Sequence, residues 1–242
     1  MTWSIIAHDL DTGMVGLAVS TCAFAVGARV PSIETGVGVV ASQSFVNPYN
    51  GPQALALMKQ GASAQEAVDA ITAADEGRSQ RQVHIMDNQF RFAAYTGAGC
   101  VDWCGHLIRD HFSVAGNMLA GPQVIEETAK AYAARTDLPF AQRLLQALKA
   151  GEDAGGDKRG KQSAALLIHD QEDYAYLDIR VDDHTDPLAE LMRLEEKSRG
   201  RYMHYRKFMP SKAHPFGITD REELERRIAQ SMADEAKDQA RP

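Results

Sequence analysis

From Trp3 to Gln43 apolar and polar positions alternate with a period of two, the pattern of half-buried strands at Trp3 to His8, Val15 to Thr21 and Val37 to Gln43. Asp9-Leu10-Asp11-Thr12-Gly13 supplies turn chemistry between the first two, so the chain opens on a hairpin. The period then changes. After Gly51-Pro52 a helix carries Leu55, Leu57 and Met58, and Ser63-Ala64-Gln65-Glu66 is a capping box that opens a second helix bearing Val68 and Ile71 on one face. Gln82 to Met86 and Phe90 to Tyr95 read as a hairpin around Asp87-Asn88-Gln89, and His111 to Ala115 as a further strand. Helical spacing returns at Val124, Ile125, Thr128 and Tyr132, and again at Phe140, Leu144, Leu145 and Leu148. A polar, glycine-rich loop from Glu152 to Gly160 precedes the last strands, Ser163 to Ile168 and Tyr174 to Val181.

Strands, paired helices, strands, paired helices and strands again predict an α+β protein rather than a regularly alternating parallel fold. A four-layer αββα sandwich, with two mainly antiparallel sheets between helix layers, fits that order. Asp186-Pro187 opens a helix through Leu188, Leu191 and Leu194, after which composition shifts to a basic, aromatic stretch from Lys197 to Pro215. Thr219-Asp220-Arg221-Glu222 reads as a capping box for a final helix carrying Leu224, Ile228 and Met232. Residues 1–194 are therefore expected to form the main domain, and 195–242 a helical extension for packing or assembly. A homo-oligomer, with a dimer favoured, is the expected state.

The 242 residues carry a net charge of −7 and no basic cluster interleaved with aromatics, which argues against nucleic acid as a partner. No apolar run approaches the roughly 20 residues of a membrane span, and no secretory signal pattern opens the chain, so no membrane partner and a cytoplasmic location are expected. Three cysteines, Cys22, Cys100 and Cys104, are too few for a disulfide framework. Cys100, Cys104 and His106 make part of a metal-binding pattern, but no second pair follows, and neither a metal nor a cofactor is assigned.

Chemistry concentrates at strand ends. Thr2 stands directly behind Met1. If Met1 is removed, one residue carries both a hydroxyl nucleophile and an α-amine that titrates near pH 8 and can take its proton. Ser42 to Gly51 offers amide side chains to a developing oxyanion, and Tyr95 to Gly99 and Ala115 to Gly121 are polar, glycine-bearing turns. In Gly155-Gly156-Asp157-Lys158-Arg159-Gly160-Lys161-Gln162-Ser163, glycines flank an acid and two bases without the spacing of a phosphate-binding loop, and Arg159 is suited to a carboxylate. Gly-x-Ser-x-Gly is missing, which leaves Thr2 as the best-motivated nucleophile.

Thr2-Trp3-Ser4-Ile5-Ile6-Ala7, Ala25-Val26-Gly27-Ala28 with Val30-Pro31, Ala41-Ser42-Gln43 with Asn47-Pro48 and Gly51, Arg81-Gln82-Val83, Thr96-Gly97-Ala98, Gly116-Asn117-Met118-Leu119-Ala120-Gly121, the Gly155 to Ala164 stretch and Arg180-Val181-Asp182-Asp183-His184 occur in this order. With these segments the chain resembles the bacterial family named domain of unknown function 1028, of the N-terminal nucleophile (Ntn) hydrolase superfamily, from Thr2 to about Leu194. The resemblance implies the αββα sandwich, Thr2 as nucleophile with its own amine as base, main-chain or amide donors from Asn47 and Asn117 for the oxyanion, and Arg29 or Lys158 as a basic neighbour. The expected activity is an amidohydrolase cleaving a C–N bond of a small molecule through a Thr2 ester. Gln43, Thr96, Asp157, Lys158, Arg159, Gln162 and Ser163 are the expected substrate-binding residues. The alternative is a non-catalytic small-molecule-binding protein on the same fold.

Overall fold

The computed structural model describes residues 2–239. Among them are two antiparallel sheets and seven α-helices, a mixed α+β fold. The larger sheet has the order β10 (Leu177–Val181), β9 (Ser163–His169), β2 (Val15–Thr21), β1 (Thr2–His8), β8 (Phe112–Asn117) and β7 (Gly105–Arg109). The smaller one runs β3 (Pro31–Glu34), β4 (Gly38–Ser44), β5 (Arg81–Asp87) and β6 (Phe92–Thr96). Helices α1 (Asn50–Lys59) and α2 (Ala64–Ala73) pack on the smaller sheet, while α3 (Gln123–Ala134) and α4 (Phe140–Asp153) pack on each other and on the larger one.

Period two explains how each strand serves two cores. Ile6, Leu17, Val19, Val39, Ala41 and Met86 fill the space between the sheets. Val40, Val83 and Ile85 turn the other way and meet Leu55, Met58, Val68 and Ile71 of α1 and α2. Each fully buried Val, Leu or Ile contributes about 1.5–3 kcal/mol, so a register slip that reversed a strand's faces would be strongly disfavoured. Gly16 admits α4 closely, since a Cβ there would lie 2.9 Å from the side chains of both Phe140 and Leu144.

The capping box at Ser63 forms as its sequence predicts, with both reciprocal bonds to Glu66. Other boundaries move. Phe90 sits in the turn at φ 60°, so β6 begins at Phe92, and the last strand begins at Leu177 rather than Tyr174. Two edge strands, β3 and β7, go beyond the sequence reading.

The chain divides into two compact units, Met1–Met192 and Arg193–Pro242, with the division inside α5 (Pro187–Ser198). In the second unit α6 (Arg201–Arg206) packs on α7 (Arg221–Gln239), where buried His204 meets the Ser231 hydroxyl at 2.8 Å. The α7 cap is Asp220, whose Oδ1 accepts from Glu223 N at 2.8 Å, one residue later than the Thr219 to Glu222 reading.

Candidate functional site

Strand β1 lies inside the larger sheet, between β2 and β8, and its register sets Thr2 opposite Asn117. Thr2 and Ser4 share the face that Ile6 turns toward the second sheet, because alternate residues of a strand point the same way. The Thr2 hydroxyl donates to Thr21 Oγ1 at 3.1 Å. Two side-chain amides approach its carbonyl at long range, Asn117 Nδ2 at 3.4 Å and Gln43 Nε2 at 3.5 Å.

Those amides belong to a buried network between the sheets, and the backbone fixes their orientation. Gln82 Nε2 faces two carbonyls, Gly116 O at 2.8 Å and Gly105 O at 3.0 Å, which only accept. Its Oε1 is therefore left to accept from Gln43 Nε2 at 2.9 Å and Asn117 Nδ2 at 3.0 Å. Gln43 Nε2 also faces Ala115 O, so its Oε1 accepts the Ser4 hydroxyl at 2.7 Å. With that proton committed, Ser4 accepts from His84 Nε2 at 2.8 Å, and Ser113 donates to Nδ1 at 2.8 Å. The ring is neutral: burial first, and then nearby His106, lower its pKa to about 3.

Three turns close over this end of the sheet. Asp157 is buried and ties its own loop to the end of β2, its Oδ2 accepting from Cys22 N at 2.9 Å and its Oδ1 from Arg159 N at 2.8 Å. Gln162 N donates to Thr21 O at 2.9 Å, which ties the loop to the residue holding the Thr2 hydroxyl. Gly155 and Gly160, at φ +118° and +107°, provide bends that side-chain-bearing residues resist. Ala120 N donates to Gly156 O at 3.1 Å, and Met118 N to Val101 O at 2.7 Å, so the turns after β6, β8 and α4 are joined by their backbones. A cleft of about 470 Å³ opens beside the loop, with Trp3, Glu152, Gly156, Asp157 and Lys161 among its lining residues.

Of the residues expected from sequence, Gln43, Asn117 and Thr2 are in contact, and Thr96 joins them through Gln82 Nε2 at 2.9 Å. Thr96 also meets His106 Nδ1 at 2.9 Å. Lys158 donates to Asp102 O and Arg159 pairs with Asp157 at 3.2 Å, while Gln162 donates to Asp183 Oδ1 at 3.0 Å. The Ser163 hydroxyl donates to Ala23 O and accepts from Val26 N at 3.0 Å. Asn47 has other bonds, Nδ2 to Asp75 Oδ2 at 3.1 Å and Oδ1 from Tyr49 N at 3.1 Å, which brace the approach to α1. Cys100 Sγ donates to Arg81 O, Cys104 Sγ to Cys100 O, and among the described residues no three His, Cys, Asp or Glu side chains are grouped to hold a metal. Ser4, Thr21, Gln82 and His84 were not expected as site residues, although Ser4 and Gln82 lie in segments that carry the resemblance. Their signal was there, in polar residues at the inward positions of otherwise apolar strands.

The model of a family described as a family of unknown function, DUF1028, matches residues 2–191. The chain belongs to this family. Every residue of the network above lies inside the matched span. A crystal structure of a protein of the family, SPO2555 from Silicibacter pomeroyi, is 32% identical, covering 90% of this chain and 96% of that one with a TM-score of 0.84. More distant matches are Anbu, an ancestral beta-subunit, from Yersinia bercovieri, at 11% identity, coverage of 82% and 94% and a TM-score of 0.40, and an Anbu mutant from Hyphomicrobium sp. strain MC1, at 13%, 82%, 95% and 0.44. No curated protein matches the chain.

Proposed function

We propose that this protein is an Ntn-type amidohydrolase that cleaves a C–N bond of a small molecule through an ester on Thr2. The observation that carries the reading is the setting of Thr2. The first residue of an interior strand has its hydroxyl on Thr21 and its carbonyl beside two amides that a buried network orients. Helix pairs on the outer faces of two apposed sheets support the αββα arrangement.

In this mechanism removal of Met1, which lies outside the described residues, frees the Thr2 amine. The amine accepts the hydroxyl proton as Oγ1 attacks the substrate carbonyl, and amide donors stabilise the oxyanion. Asn117 fills that role best, since one N–H of its amide goes to Gln82 and the other reaches Thr2, whereas both N–H groups of Gln43 are held by Gln82 and Ala115 O and Asn47 shapes the adjoining loop. The nitrogen leaves with the proton from the Thr2 ammonium, and water then hydrolyses the ester. Thr96, Lys158, Arg159 and Gln162 form the substrate side, with Asp157 holding the loop that Lys158 and Arg159 decorate, while the fully buried Ser163 hydroxyl serves Ala23 O and Val26 N instead. A dimer is part of the proposal, and sedimentation of the full chain tests it.

Intact-mass measurement and an amide-substrate panel test the chemistry. The expected result is a chain lacking Met1 whose turnover disappears in Thr2→Ala while its circular dichroism is unchanged. Retained Met1 together with ligand binding but no turnover would favour the non-catalytic alternative, and equal activity of Thr2→Ala would overturn the nucleophile.

A further inference from the structure

A second cleft, of about 700 Å³, lies at the other end of β1, where the strand runs into its turn. Its walls come from the β1–β2 turn, the β7–β8 turn, α3 and the start of α4. The Thr2 network contributes none of its lining residues.

Two buried polar atoms beside this cleft have no hydrogen-bond partner among the described residues, the Tyr132 hydroxyl and His8 Nδ1. Tyr132 is only 1% exposed. An unpaired buried hydroxyl costs about 1–3 kcal/mol, so its retention beside a cleft calls for a partner from outside the fold. The fold also holds its ring firmly: the Arg143 guanidinium lies 4.0 Å from the ring centroid, Phe112 packs at 4.9 Å, and Arg143 Nε donates to Tyr132 O at 2.7 Å. Burial pushes the phenol pKa well above its ordinary value, which keeps its proton available for donation.

The charges narrow the chemistry. Lys130, Arg143 and Arg109 bring positive charge from α3, α4 and β7, and Glu126, Asp9, Asp11 and Asp110 bring negative charge from α3 and the two turns. Asp9 is itself buried, and both Thr12 donors go to its Oδ2. A ligand of one sign meets repulsion from three or four of these groups, whereas one carrying both signs can align with either kind. Leu107, Phe112 and Ala129 add an apolar wall. We infer that this cleft binds an amphoteric molecule with an apolar side group, a free amino acid or short peptide, its carboxylate on Arg143 and the Tyr132 hydroxyl and its ammonium toward Asp9 and Glu126. The site stands apart from the Thr2 reading and does not depend on it.

Calorimetric titration of the full chain with L-leucine, leucyl-leucine, N-acetyl-leucine and leucinamide tests the assignment. L-leucine or the dipeptide should bind saturably, whichever is tighter identifying the source, and the two blocked compounds at least tenfold more weakly. Tyr132→Phe, which deletes an atom the fold leaves unpaired, should weaken binding at least fivefold without lowering the melting temperature, and Arg143→Met at least tenfold. Thr2→Ala should bind like the unaltered chain. Equal binding of a blocked compound, no binding by any of the four, or full affinity in Tyr132→Phe overturns the inference.

Discussion

The Thr2 hydroxyl donates to the Thr21 hydroxyl oxygen at 3.1 Å across neighbouring strands, so the Thr21 side chain helps to aim the proposed nucleophile. We predict that Thr21→Val, which keeps the shape and removes the oxygen, lowers kcat at least tenfold, leaves KM within about twofold, and costs about 1 kcal/mol of stability by leaving a buried hydroxyl unpaired. Steady-state kinetics and urea unfolding measure both, and an unchanged kcat would mean that Thr2 needs no such aim.

Gln82 is the hub of the inter-sheet network. Gln82→Leu strands donors on Gln43 and Asn117 and acceptors on Gly105 and Gly116. The expected loss is about 3–5 kcal/mol in urea denaturation, at the upper end for a single substitution. A loss below about 1 kcal/mol would show that water readily replaces the amide.

His84 makes stability depend on pH. Its folded-state pKa of about 3 lies below the ordinary 6.5, so the unfolded chain takes the proton first as pH falls. The contribution is whole above about pH 6.5 and declines toward pH 3, by about 1.4 kcal/mol per pH unit. In urea titrations between pH 6.5 and 4.5, His84→Gln should shrink the pH slope by about one proton. Parallel slopes would refute the neutral ring.

Asp157 holds its loop to the end of β2 through Cys22 N and Arg159 N. Asp157→Ala should speed hydrogen exchange at those two amides on the order of a hundredfold, through local opening, while α1 and α2 keep their protection. Exchange read by mass spectrometry checks this, and uniform acceleration everywhere would point to global destabilisation instead.

Much of the fold was legible because each helix buries one face and the interior strands are short apolar runs bounded by turn residues. Two of the edge strands, β3 and β7, lack that apolar content and were not read. β7 is largely exposed and carries Gly105, His106 and Arg109, and β3 starts with Pro31 on a sheet edge, the position where a missing N–H is tolerated. In the site, Thr2, Gln43 and Asn117 were found because each sits at a strand end. Gln82 and His84 were passed over because local pattern shows that a polar residue faces inward, not which residue on another strand it will meet. Asn47 illustrates the converse, a residue in the expected segment whose amide is claimed by Asp75.

The alternation along β1 also limits what can be done to the start of this protein. Thr2, Ser4 and Ile6 lie on one side, with Trp3 and Ile5 on the other, all of them buried. Inserting one residue within the strand would carry the proposed nucleophile into the layer of α3 and α4 and press an indole against the amide cluster. Inserting two would restore the faces but displace Thr2 by about 7 Å from Thr21. If Thr2 acts as proposed, anything attached ahead of it must afterwards be cut away to free its amine.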